Sequence, residues 1–179
     1  WLETAKKHTE RPEDFVNNLI ASVDDMIKST DPSLTNEEVF WQSFSRFGWD
    51  PEVYKPIAKG FYENKFQSLD YLITQRPKMI ELVGKLQGKI KLALATNSVF
   101  PKKAIVSRLR WGGFSESQFD YVACYEEMHF CKPNPQYFLE IAQSLGVAPE
   151  RCLVVGDDPQ LDLVAHQLKM DTFFLDLKK

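Results

Sequence analysis

Gly156-Asp157-Asp158-Pro159-Gln160-Leu161-Asp162 is the stretch on which the reading of this 179-residue chain turns. It follows Leu153-Val154-Val155, an apolar run short enough for a buried strand, and it leads into a helical pattern from Leu161 to Leu168. Three carboxylates therefore gather at the C-terminal end of a predicted parallel strand, the edge at which open α/β sheets bind ligands. No Lys or Arg stands inside the segment, so the acids must be solvated, protonated or holding a cation.

Outward from this stretch the same alternation recurs. Ile90 to Thr96, Phe119 to Cys124 and Thr172 to Leu175 are further short apolar runs with the look of buried parallel strands, alongside Cys152 to Val155. Helical patterns over Pro101 to Arg110, Pro135 to Leu145 and Pro159 to Leu168 separate them, with Asn134 as an N-cap and Gly146 as a stop. Strand and helix in this order imply right-handed βαβ crossovers, an α/β class and a Rossmann-like parallel sheet.

Ahead of the alternation the chain reads as helix alone. Phe15, Leu19, Ile20, Val23, Met26 and Ile27 recur at helical spacing. Thr35 and Glu38 form a capping box for a helix ending at Gly48, and Asp50-Pro51 restarts the chain as N-cap and first helical residue. A last helix, Pro77 to Leu86, stops at Gly88. The expected division is a helical cap module over residues 1–76 and a Rossmann-like core over 77–179. The module's aromatics, Trp1, Trp41 and Trp49 among them, are expected to pack as its core.

Composition narrows the function classes. The chain is 44% hydrophobic and 26% charged with a formal net charge of -3, so it offers no basic face of the kind nucleic acids require. No apolar run approaches membrane-spanning length, and Trp1-Leu2-Glu3-Thr4 has no basic region leading into an apolar one. Three cysteines, Cys124, Cys131 and Cys152, read as reduced thiols, which points to a cytoplasmic protein. The expected partner is a small molecule.

Three polar features follow predicted strands: Thr96-Asn97-Ser98, Lys132 after a short loop, and the acidic stretch. In a doubly wound sheet they converge on one crevice. A hydroxyl and an ammonium suit phosphate oxygens, and carboxylates suit Mg²⁺ bridging to a phosphate, so the combination points to phosphoryl chemistry. His129 and Cys131 make an isolated His-x-Cys pair without a second pair at ligand spacing. Cys131, beside Lys132 but without a partner His, reads as an inert thiol.

Leu92-Ala93-Leu94-Ala95-Thr96-Asn97, Lys132-Pro133-Asn134-Pro135 and Gly156-Asp157-Asp158-Pro159-Gln160-Leu161-Asp162 resemble, in order and spacing, the second, third and fourth motifs of the haloacid dehalogenase-like hydrolases. The helical module resembles the cap that many members insert after their first motif. The resemblance implies that Thr96, with Asn97 beside it, binds the transferring phosphoryl group. It implies that Lys132 neutralises charge there, that Asp157 ligates Mg²⁺, and that Asp162 supports the metal directly or through water. Asp158, ahead of Pro159, reads as a helix cap. The implied activity is a Mg²⁺-dependent phosphatase acting on a small phosphorylated metabolite through an aspartyl-phosphate. The alternatives are a metal-free haloacid dehalogenase and a non-catalytic binding or regulatory protein.

The family's first motif, an Asp-x-Asp closing the opening strand, has no counterpart. Asp24, Asp25 and Asp31 follow no apolar strand, and Asp176 has no aspartate two residues on. In this family the strand bearing that motif lies centrally, between the strands ending at Thr96 and Gly156. Its removal would leave two buried edges with unpaired backbone groups. The expectation is that the natural protein carries a further N-terminal segment of about 10 to 25 residues.

Overall fold

The structure is a computed structural model and describes residues 1–176. Helices come first: α1 (Leu2–Ala5), α2 (Pro12–Lys28), α3 (Asn36–Arg46), α4 (Pro51–Glu63), a 3₁₀ helix (Lys65–Leu72) and α5 (Pro77–Leu86). Then come β1 (Ala93–Leu94), α6 (Lys102–Trp111), β2 (Tyr121–Val122), α7 (Pro135–Leu145), β3 (Leu153–Gly156), a 3₁₀ helix (Leu163–Leu168) and β4 (Asp171–Phe174). Among the described residues, no helix is long and apolar enough to cross a membrane.

Local signals account for the helix starts. The Thr35 hydroxyl accepts from the Glu38 N–H while the Glu38 carboxylate accepts from the Thr35 N–H, the reciprocal capping box expected from the sequence. Asp50 and Asn134 cap α4 and α7 through their side-chain oxygens, each ahead of a proline in the first turn. Gly146 ends α7 at φ 65°, a left-handed conformation that side chains with a Cβ resist.

Two sets of apolar contacts organise the chain. Phe15, Trp41, Phe44 and Trp49 bury one another among α1 to α4, with Phe44 within 5.2 to 6.2 Å of five aromatic rings. Around α7, Tyr137, Phe138 and Ile141 gather Ala93 and Ala95 from one side and Cys152 and Val154 from the other. On the opposite side of β2, Ile105 and Leu109 of α6 cover Val122 and Cys124. The helical part meets the rest where the N–H groups of Asn36 and Glu37, orphans of a helix start, donate to the Met128 and Tyr125 carbonyls at 2.7 and 2.9 Å.

The strands form two parallel pairs instead of one continuous sheet. β1 pairs with β2 in the register Ala93–Tyr121, and β3 pairs with β4 in the register Leu153–Asp171. The seven-residue run from Ile90 to Thr96 yields a two-residue strand, because regular pairing extends only where a neighbour lies alongside. The expectation of fully buried strands also fails at the second pair. Leu153, Val155 and Phe173 are 62%, 49% and 56% exposed, since among the described residues nothing covers that face. The stretch from Asp158 is tighter than the expected continuous helix: a turn, then 3₁₀ winding over Leu163–Leu168.

Candidate functional site

Past the C-terminal ends of β1 and β3 the structure pairs Lys132 with Asp162 and ties Asn97 to the Lys132 backbone. Lys132 Nζ lies 2.5 Å from Asp162 Oδ1, and both side chains are under 10% exposed. The same ammonium stands 5.6 and 5.5 Å from the Tyr137 and Phe138 ring centres, so the aromatic faces reinforce a charge already paired. The second oxygen of Asp162 accepts from the Asp158 N–H at 3.1 Å. A buried carboxylate with two donors, one of them a matched cation, is satisfied where an isolated one would not be.

Glycine at 156 makes room for this arrangement. A Cβ there would overlap Oδ2, Cγ and Cβ of Asp162. The G156A variant is expected to displace the carboxylate from Lys132 and to cost about 1–3 kcal/mol of stability, read from urea denaturation. An unchanged midpoint would mean that Asp162 has another position of equal energy.

The loop after β1 is tied to the Lys132 loop. Asn97 Oδ1 accepts from the Lys132 N–H at 3.0 Å, and Tyr137 donates its hydroxyl to the Thr96 carbonyl at 2.6 Å. Burial pushes the Tyr137 pKa well above its ordinary value, so the ring acts as a fixed donor. The Thr96 side chain is half-buried and Asp157 is exposed. Among the described residues neither the Thr96 hydroxyl nor the Asp157 carboxylate makes a side-chain hydrogen bond, so both are free for a ligand. Asp158 instead closes a turn, its Oδ1 accepting from the Gln160 and Leu161 N–H groups.

Mg²⁺ takes oxygen ligands and is commonly held by one or two carboxylates plus waters and a substrate phosphate. Asp157 fits that role. Asp162 also supplies oxygens, but both already accept hydrogen bonds within the protein. Among the described residues no three His, Cys, Asp or Glu side chains cluster as a complete shell. The donor set therefore fits Mg²⁺ as part of a shell.

Other sequence candidates are drawn apart. His129 Nδ1 lies 2.5 Å from Glu140 Oε1, whereas the Cys131 thiol is buried against Ser98. Burial pushes that thiol up to about 11, so it stays protonated at neutral pH, as the inert reading expects. In the sequence Tyr137 carries no signal of this role, because an aromatic at helical spacing looks like any packing residue. Its partner is a backbone carbonyl, which leaves no mark in the sequence.

A cavity of about 700 Å³ lies between the helical part and the strand-bearing part. Trp41, Lys55, Lys59 and Tyr62 line it from one side and Lys103 and Tyr125 from the other.

The haloacid dehalogenase-like hydrolase family model matches residues 3–166. The chain belongs to this family. It is 28% identical over 134 residues to a protein named phosphoserine phosphatase from Thermus thermophilus, covering 74% of this chain and 50% of that protein. To a phosphorylated carbohydrates phosphatase from Thermotoga maritima it is 31% identical over 102 residues, covering 56% of this chain and 46% of that one. The chain thus spans about half the length of these curated relatives. A haloacid dehalogenase-like phosphatase from Thermococcus onnurineus superposes with a TM-score of 0.55 at 21% identity, over 92% of this chain and 80% of that one. A family enzyme from Bacteroides thetaiotaomicron, in complex with magnesium and inorganic phosphate, superposes at 0.51 and 18% identity, over 99% and 86%. At such identities the structural likenesses establish the fold: the Rossmann-like α/β architecture of haloacid dehalogenase-like hydrolases.

Proposed function

We propose that this chain belongs to a Mg²⁺-dependent phosphatase acting on a small phosphorylated molecule. The observation that carries the reading is the buried Lys132 ammonium, held by Asp162 beside the Thr96–Asn97 loop, with the Asp157 carboxylate, which makes no side-chain hydrogen bond among the described residues, exposed at the end of β3. The phosphatase names of the curated relatives support it.

In this reading the Thr96 hydroxyl donates to a phosphoryl oxygen and Lys132 neutralises charge that grows during transfer. Asp162 keeps the ammonium in place, and Asp157, supported by Asp162, would hold Mg²⁺. The bound ion would add positive charge against the phosphoryl oxygens. The proposed route begins with attack of an aspartate on phosphorus. The aspartate carboxylate displaces the alcohol from phosphorus, and water then hydrolyses the aspartyl-phosphate.

Hydrolysis of p-nitrophenyl phosphate by the natural protein, with and without Mg²⁺, tests the proposal. Thr96→Val is expected to lower turnover about 10²- to 10³-fold, the loss typical of one preorganised donor to a developing charge. Asp157→Asn is expected to raise the Mg²⁺ concentration needed for half-maximal rate. Metal-independent release of halide from a 2-haloacid, with no phosphate ester hydrolysed, would assign the site to dehalogenation.

A further inference from the structure

We propose that Asn36, the first residue of α3, is a positioning residue that clamps the Thr96–Ser98 loop to the Phe130–Lys132 loop. Docking of the helical part thereby sets the spacing of the phosphate-gripping groups. The functional half of this statement rests on the phosphatase reading; the clamp itself does not.

Asn36 and Ser98 are both fully buried. Asn36 Nδ2 donates to Ser98 Oγ at 2.8 Å and to the Phe130 carbonyl at 3.2 Å, and lies 3.4 Å from the Ser98 carbonyl. Ser98 Oγ, having accepted from the amide, donates to the same Phe130 carbonyl at 3.0 Å. One carboxamide therefore closes a polar triangle across segments 62 and 94 residues away in sequence. Its orientation is determined, because the two carbonyls can only accept and the nitrogen must face them.

Among the described residues the Oδ1 of this amide is buried without a partner. Removing the amide would leave Ser98 Oγ and the Phe130 carbonyl each one donor short. What the amide contributes is direction. The bonds it makes stand next to the two groups at issue. Ser98 adjoins Asn97, which accepts from the Lys132 N–H, and Phe130 lies two residues before Lys132. Loosening the triangle frees the two loops to slide, and the Thr96 hydroxyl and Lys132 ammonium then lose their common target.

The test compares Asn36→Ala with Gln67→Ala, using hydrogen exchange of the Lys132 amide and calorimetric binding of inorganic phosphate. Gln67 is a control from the same helical part: it donates to Ser107 Oγ at 2.9 Å, away from both loops. Asn36→Ala is expected to speed exchange at Lys132 about tenfold and to weaken phosphate binding at least about fivefold, while Gln67→Ala leaves both within about twofold. Ser98→Ala, which opens the triangle from the loop side, should reproduce the exchange pattern if Asn36→Ala does not fold. Unchanged Lys132 exchange in the variants that fold, or an equal rise in Gln67→Ala, would overturn the clamp. Faster exchange in Asn36→Ala, with no phosphate bound even by the unsubstituted chain, would uphold the clamp and remove the phosphatase reading.

Discussion

Replacing Lys132 with methionine is expected to destabilise the folded chain by about 3–5 kcal/mol, the loss typical when one partner of a buried ion pair is removed. The stem of the side chain is preserved, so packing changes little. The cost arises at Asp162, which is 5% exposed and would retain the Asp158 N–H as its remaining donor. The double variant Lys132→Met/Asp162→Asn removes both charges and is expected to recover much of the loss. Urea denaturation of the single and double variants gives the coupling directly. A single-variant loss below about 1 kcal/mol would mean that the pair behaves as a solvated surface bridge. Phosphate binding is expected to vanish in both variants, because neutralising Asp162 restores stability but no cation.

Phe44→Ala is expected to cost about 3–5 kcal/mol through the cavity left in the aromatic cluster of the helical part. Phe44 is 1% exposed, and Phe15 and Tyr54 meet it edge-on while Phe40 and Trp49 stack on it. Hydrogen exchange resolves where the loss falls. If residues 1–76 form a module distinct from 77–179, protection in α2 to α4 collapses while α7 stays protected. Equal loss in α7 would make the chain one cooperative unit and count against that division.

The helices were legible because their signals are local. Thr35 with Glu38, Asp50 before Pro51 and Asn134 before Pro135 each announce a start within four residues, and each cap forms as read. Strand extent was not legible in the same way. A run such as Ile90 to Thr96 records apolar character, whereas a strand needs a partner, and among the described residues β1 has β2 alone. The exposed Leu153, Val155 and Phe173 make the same point for burial.

At the site, the sequence by itself determined which chemical groups follow the strands: a hydroxyl, an amide, an ammonium and carboxylates, in an order shared with haloacid dehalogenase-like hydrolases. Only the tertiary structure decided how they divide the work. Asp157 and Asp162 look equivalent in Gly156 to Asp162, yet one is exposed without a side-chain partner and the other is buried against Lys132. Asn36 reads as the residue after a cap, yet its amide joins loops 62 and 94 residues away. The physical reason is common to both cases. Residue type and spacing set what a group can bond to nearby, but its actual partner and its exposure depend on segments brought alongside by folding.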